Sequence, residues 1–147
     1  MDIDLTAFEH RLVEVQGSEP PGIISDGMRK VLQGGKRIRP QLILTAPHSD
    51  HIARLLLDFA VASELVHTSS LILDDLPCMD DAKFRRDKEC LHLETSEAEA
   101  TLVAFSLLAR AFETLSNGAP EETQVRQILS RLLSRSLGGG GRAEGQA

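Results

Sequence analysis

Apolar residues recur at spacings of three and four along nearly the whole chain, and no segment alternates with the period of two that a half-buried strand requires. Leu5, Phe8, Leu12 and Val15 form the first such stripe, which Gly17 ends. Residues 18–22 (Ser-Glu-Pro-Pro-Gly) read as a turn or short linker. Ile24, Met28, Val31 and Leu32 form a second stripe, stopped by Gly34-Gly35, and a helix restarts near Pro40 and stops before Pro47. Asp50 is the expected N-cap of a long helix running through Leu73, and Pro77 breaks or bulges its end. Residues 82–95 are polar and mixed and read as a loop. Ser96 with Glu99 matches a capping box ahead of Leu102, Phe105, Leu108 and Phe112. Asn117-Gly118 closes that helix, and Pro120 with two acids opens the next, striped by Val125, Ile128, Leu129, Leu132, Leu133 and Leu137. No repeat of fixed period is present. The expected fold is an all-α antiparallel helical bundle.

A chain of 147 residues fits one domain, and its 22 leucines against five Phe and no Trp or Tyr give that domain an aliphatic core. The composition excludes collagen, low-complexity disorder and disulfide scaffolds. A net charge of −6 and few aromatics argue against nucleic acid as a partner, since such binders combine a basic patch with stacking rings. Two cysteines, Cys78 and Cys90, in an acidic chain read as free thiols in a reduced, cytoplasmic setting. The first residues, Met-Asp-Ile-Asp-Leu, show no targeting pattern. The run from Ile52 to Leu73 is long and apolar, but it contains Arg54, Asp58, Glu64 and His67, which are expensive in lipid. It reads as a buried helix, with no integral membrane segment expected.

Two clusters could carry chemistry. In Gly34-Gly35-Lys36-Arg37-Ile38-Arg39-Pro40, two glycines let the backbone approach a ligand closely, and three cations follow within four residues. Arg39 suits a forked grip on phosphate and Lys36 a point charge. Pro40 suits a first helical turn, whose end favours anions. The alternative is a glycine C-cap followed by a solvated basic turn. In Asp74-Asp75-Leu76-Pro77-Cys78-Met79-Asp80-Asp81, four carboxylates fall within eight residues. Like charges this close repel, and a hard divalent cation such as Mg²⁺, shared with substrate phosphates, relieves that repulsion. A continuous helix would put Asp74 and Asp81 on one face, but Pro77 leaves the pairing open. The alternative is a solvated acidic helix end, which the helix dipole opposes. Arg85-Arg86 follows, able to make plain salt bridges or to hold the same phosphate. His67 lies seven residues before Asp74, and such a lone His is more often structural than functional. His92 is given no role. Cys78 reads as packing, since no His–acid pair accompanies it.

With the basic turn, the acidic cluster and the Arg pair in this order, the sequence resembles the trans-isoprenyl diphosphate synthases, or polyprenyl synthetases. The matching residues are Gly-Gly-Lys-Arg-Ile-Arg-Pro (34–40), the run from Glu64 to Ala82, and Arg85-Arg86. The run from Glu64 looks most like the geranylgeranyl diphosphate synthases of bacterial carotenoid pathways. The resemblance implies a bundle of the isoprenoid synthase type and a head-to-tail condensation of isopentenyl diphosphate with an allylic diphosphate. It implies that Asp74 and Asp80 ligate Mg²⁺ with support from Asp75 and Asp81. It implies that Arg85 contacts the allylic diphosphate, and that Lys36, Arg39, His67 and Arg86 hold isopentenyl diphosphate, with Arg37 counted among the same substrate-binding cations. Ser69 and Ser70, five and four residues before Asp74, occupy the positions that gate chain length, and small residues there imply a product longer than farnesyl.

The sequence departs from the family pattern in several places. Asp87-Lys88-Glu89-Cys90 stands where Gly-x-Pro-Thr is usual, and Thr95-Ser96-Glu97 where an aromatic-Gly-Glu is usual. Residues 47–52 look shortened. No second aspartate-rich motif, which supplies the remaining metal ligand in the family, occurs in the 147 residues. The expected organisation is therefore one partial isoprenoid-synthase domain over 1–147, with an N-terminal helix and linker over 1–22 and a glycine-rich tail over 138–147. A homodimer, or a heteromer with a synthase, is the expected assembly. The alternative to an enzyme is a catalytically inactive diphosphate-binding module or partner subunit of a full-length synthase, whose apolar stripe at Val125–Leu137 would be exposed.

Overall fold

The computed structural model describes residues 5–138 together with residues 141, 143 and 145. The glycine-rich tail expected over 138–147 lies mostly outside the described residues, as do residues 1–4. Seven α-helices follow one another among the described residues: α1 (Thr6–Gly17), α2 (Ile23–Leu32), α3 (Ile38–Leu44), α4 (Asp50–Asp74), α5 (Leu91–Glu94), α6 (Glu97–Ser116) and α7 (Thr123–Leu137). A 3₁₀ turn over Pro120–Glu122 leads into α7. The all-α bundle expected from the apolar spacing is the fold observed.

The axis of the bundle is α4, which packs along α6 and also meets α3 and α1. The core joins Phe8 and Leu12 of α1, Met28 and Leu32 of α2, Val61 and Leu65 of α4, and Val103 and Leu107 of α6. Each fully buried aliphatic side chain of this kind contributes about 1.5–3 kcal/mol. Fully buried alanines line the two central helices, Ala60 and Ala62 on α4 and Ala100, Ala104 and Ala111 on α6, and small side chains let helices approach. On α2, Gly27 lies against Val103 so closely that an added Cβ would sit 2.6 Å from Cγ2. Among the described residues α4 is the one helix long and apolar enough to cross a membrane, yet 67% of its apolar window is buried inside the bundle. Two acids within it, Asp58 and Glu64, are paired. Buried Asp58 accepts from Arg11 Nε of α1 at 2.9 Å and from Arg126 Nη2 of α7 at 3.1 Å, which ties three helices together.

Local chemistry explains most of the boundaries. Ser25 Oγ accepts from the Gly22 N–H at 3.0 Å and donates to the Gly22 carbonyl, closing the start of α2. Ser96 Oγ accepts from the Glu99 N–H at 3.1 Å and caps α6 as expected. Two expectations are corrected. Ser49 takes the N-cap position of α4 and Asp50 is its first helical residue. Residues 82–95, read as a loop, contain a hairpin of β1 (Phe84–Arg85) and β2 (Lys88–Glu89), followed by α5. The turn of that hairpin has Arg86 at φ 54° and Asp87 at φ 63°, the positive φ at both central positions that a type I′ turn needs. The stripe on α7 is only partly used: Leu133 is buried, whereas Val125, Ile128 and Leu132 are about half exposed. What anchors α7 is Arg126, whose guanidinium reaches inward past Gly118 to Asp58.

Candidate functional site: a basic turn facing an aspartate loop

After Leu32 the chain leaves α2 through Gly34 and Gly35, with φ of 75° and 105°, conformations that side chains with a Cβ rarely adopt. An added Cβ on Gly35 would lie 2.7 Å from Nη1 of Arg86, so the exposed Arg86 guanidinium rests over the glycine turn. Two segments distant in sequence, the basic turn and the Arg pair, therefore meet at one backbone position. Lys36, Arg39 and Arg86 are exposed, and none has an ion-pair partner among the described residues.

Arg37 goes elsewhere. It takes a left-handed φ of 49° at the N-cap of α3 and turns inward to 7% exposure. Its Nη1 donates to Glu64 Oε1 at 3.0 Å, its Nε to Glu9 Oε1 at 2.8 Å, and its Nη2 to the Leu32 carbonyl at 2.7 Å. Its ring contact with Phe8 is 5.7 Å to the centroid. Burial works against its charge, but the hydrogen bonds to Glu9 and Glu64 outweigh burial and raise its pKa. Its donors are used inside the fold, so the structure separates Arg37 from Lys36 and Arg39, with which the sequence grouped it.

The acidic segment is a tight loop at the end of α4. The Asp80 N–H donates to the Asp74 carbonyl at 2.9 Å, and the Met79 and Asp81 N–H groups donate to Leu76 at 2.9 and 3.1 Å. The continuous helix that would have put Asp74 and Asp81 on one face ends at Asp74, and the backbone of residue 80 returns to that of residue 74. Asp81 takes φ 48° and pairs with Lys83 at 2.7 Å. Asp75 is buried and is gripped by Arg85, whose Nε lies 2.9 and 3.0 Å from its two oxygens and whose Nη2 lies 2.6 Å from Oδ1. That hydrogen bonding raises the Arg85 pKa against the opposing effect of burial. The neighbouring Cys90 thiol is buried, and burial together with Asp75 pushes it up to about 11, so it stays protonated. The other thiol, Cys78, is exposed.

The four residues other than glycine with positive φ among the described residues are Arg37, Asp81, Arg86 and Asp87, and all four belong to the basic turn, the aspartate loop or the hairpin. Strained backbone concentrated in this way is characteristic of sites whose geometry serves a ligand. His67 is half-buried on α4, two turns before Asp74. Ser69 is fully buried and its Oγ donates to the Ala104 carbonyl of α6 at 2.9 Å, while Ser70 Oγ donates to the His67 carbonyl at 2.7 Å. The partners of Arg37 were not foreseen in the sequence. The signal was there: Glu64 is an acid inside an apolar helix and requires a cation.

Asp74 and Asp80 offer hard oxygen donors at the two ends of a closed loop. No group of three or more His, Cys, Asp or Glu side chains able to hold a metal occurs among the described residues. The residues present fit a cation such as Mg²⁺, which keeps several waters and binds through one or two carboxylates plus substrate phosphates.

A family model described as polyprenyl synthetase matches residues 22–142. The geranylgeranyl diphosphate synthase of Pantoea ananas is 38% identical over 140 residues, covering 92% of this chain and 46% of that synthase. The farnesyl diphosphate synthase of Micrococcus luteus is 42% identical over 114 residues, covering 77% and 39%. Among solved structures, a geranyltransferase from Legionella pneumophila superposes with a TM-score of 0.81 at 30% identity, covering 95% of this chain and 51% of that one. The chain spans about half the length or less of each of these relatives.

Proposed function

The chain belongs to the polyprenyl synthetase family, and on that premise we propose that it supplies the diphosphate-binding and metal-binding half of a head-to-tail prenyltransferase, joining isopentenyl diphosphate to an allylic diphosphate. The observation that carries this reading is the contact of Arg86 with the backbone of Gly35, which joins three cations lacking carboxylate partners into one anion-binding surface. Lys36, Arg39 and Arg86, with His67, hold isopentenyl diphosphate. Asp74 and Asp80 hold Mg²⁺. Asp75 is held by Arg85, which supports the loop and offers its remaining donor edge to the allylic diphosphate. Asp81, paired with Lys83, shapes the loop from outside. Mg²⁺ when bound offsets the charge that develops on the departing diphosphate. Arg85, held on Asp75 before any ligand arrives, acts on the same charge.

A geranylgeranyl-type product is part of this proposal. Its support is the small side chains of Ser69 and Ser70, each tied back to a carbonyl, which leave the wall of α4 low. A cytoplasmic setting is part of it too, supported by two cysteines that form no disulfide. So is one partial isoprenoid-synthase domain over 1–147.

A second reading is favoured by the outer faces of α6 and α7. Leu102 and Phe105 on α6 and Val125, Ile128 and Leu132 on α7 are 45–69% exposed. Apolar faces of this kind mark interfaces. They support a homodimer, or a non-catalytic module that joins a full-length synthase.

The test is calorimetric titration of isopentenyl diphosphate, and separately of an allylic diphosphate with and without Mg²⁺, into the chain. Arg86→Ala is expected to weaken isopentenyl diphosphate, and Asp74→Asn the Mg²⁺-dependent binding of the allylic diphosphate, each by about tenfold or more, equivalent to about 1.4 kcal/mol. Heat that is absent, or that ignores both substitutions, rejects the diphosphate reading.

A further inference from the structure

Arg37 has more acid around it than its charge requires. Buried Glu64 supplies one carboxylate to one guanidinium at 3.0 Å, and that pair is already neutral. A second carboxylate nevertheless arrives from α1. Glu9 is half-exposed, so water would serve it equally well, yet its Oε1 accepts from Arg37 Nε at 2.8 Å and its Oε2 from Nη2 at 3.4 Å. Neutralisation does not account for this contact; orientation does. Glu9 takes the Nε edge, Glu64 takes Nη1, and the Leu32 carbonyl accepts from Nη2 at 2.7 Å. A planar fork engaged at all three nitrogens has one orientation. Phe8, the residue before Glu9 and fully buried, lies against the face of the same guanidinium. Consecutive residues of α1 therefore set both its edge and its face.

The fixed guanidinium braces the basic turn. The Leu32 carbonyl belongs to the end of α2, so the Arg37 side chain reaches back across Gly34 and Gly35 and closes that segment into a ring. Two glycines lose more conformational freedom on ordering than other residues do, which is why a brace matters here. In the other direction, the Gln41 N–H donates to the Arg37 carbonyl at 3.0 Å and Gln41 Nε2 to the Lys36 carbonyl at 3.1 Å. The first turn of α3 thus inherits its place from Arg37. Lys36 and Arg39 project from either side of this fixed point. Glu64 lies three residues before His67 on α4, where side chains are neighbours on one helix face. The same guanidinium therefore registers the basic turn against the stretch of α4 that carries His67.

We propose that Glu9 is a positioning residue for isopentenyl diphosphate. It acts through Arg37, holds the backbone from which Lys36 and Arg39 project, and touches no ligand itself. This rests on the diphosphate reading of the basic turn. It makes α1 part of the binding apparatus rather than a cover on the core.

Electrostatics alone predicts the opposite sign. An acid near an anion site repels the ligand, so removing the charge of Glu9 would tighten binding. Loss of the brace weakens it. Stability is separable from both, because a half-exposed ion pair contributes little to it.

The experiment titrates isopentenyl diphosphate by calorimetry into the whole chain, as wild type, Glu9→Ala and Glu9→Gln. Both substitutions remove the charge, but glutamine keeps an acceptor oxygen for Arg37 Nε. Glu9→Ala is expected to weaken isopentenyl diphosphate several-fold, and Glu9→Gln to fall between it and wild type. Binding of the allylic diphosphate with Mg²⁺ should be unchanged in both. Hydrogen exchange at the Gln41 amide, which is bonded to the Arg37 carbonyl, should be faster in Glu9→Ala. Should Glu9→Ala lose helical circular dichroism, the milder Glu9→Gln carries the same comparison. Affinity in the variants that equals or exceeds that of wild type overturns the proposal, as does equal weakening of both diphosphates. If the wild-type chain gives no heat with isopentenyl diphosphate, the diphosphate reading fails instead. The Gln41 amide then still decides whether Glu9 braces the turn: faster exchange upholds the brace, and unchanged exchange overturns it.

Discussion

The ammonium of Lys36 and the guanidinium of Arg37 leave one turn from consecutive positions, the first exposed and the second buried against Glu64 and Glu9. Substitutions at these neighbours should therefore separate folding from binding. Arg37→Gln leaves Glu64 buried without its cation, and losing one partner of a buried pair costs about 3–5 kcal/mol. Urea unfolding should show that loss. Lys36→Ala should stay within about 0.5 kcal/mol of wild type in the same experiment, while losing affinity for isopentenyl diphosphate. At this scale the sequence was legible in residue type and misleading in direction. Three cations in four residues announced an anion site, but nothing local shows that the middle one points inward. That direction depends on Glu64 and Glu9, which come from α4 and α1, and on the left-handed φ of Arg37 itself. In the aspartate loop the helix ends at Asp74, so the helical spacing that would have aligned Asp74 with Asp81 does not apply.

Between helices, the tightest constraint is Gly27 of α2 against Val103 of α6. Alanine at position 27 would raise helix propensity by about 1 kcal/mol. The same change would push a Cβ to 2.6 Å from a methyl of a buried, β-branched side chain with little rotamer freedom. Overpacking should prevail: Gly27→Ala should lower thermal stability by about 1–3 kcal/mol. Val103→Ala should relieve the clash, so the double mutant is expected to be more stable than the sum of the two single losses allows. Helix positions were readable because each stripe runs over at least two turns and ends in glycine, proline or a capping serine. The hairpin was not. Its strands are two residues each, too short for alternation to register, and its turn is Arg86-Asp87 where a type I′ turn usually advertises itself with Asn-Gly or Asp-Gly. The stripe on α7 is legible as helical, and its exposure is what a partial bundle implies; the spacing does not show that Arg126 rather than the leucines seats that helix.

Taken whole, the molecule buries one face of α6 and of α7 and leaves Leu102, Phe105, Val125, Ile128 and Leu132 largely in solvent. These residues should drive association. Light scattering after size exclusion should show mass rising with concentration, and Phe105→Glu with Leu132→Glu should return the chain to a monomer with its helicity intact. A chain that stays monomeric at all concentrations rejects the interface. The contact between Gly35 and Arg86 has a temporal consequence. It joins segments separated by the whole of α4, so it forms only after a long loop has closed, and closing such a loop costs entropy before any contact rewards it. The helices can appear early; the anion-binding surface cannot. A ligand spanning that contact would grip a feature absent from the folding transition state. It would therefore lengthen the lifetime of the folded chain by slowing its unfolding, and leave the rate of folding almost untouched.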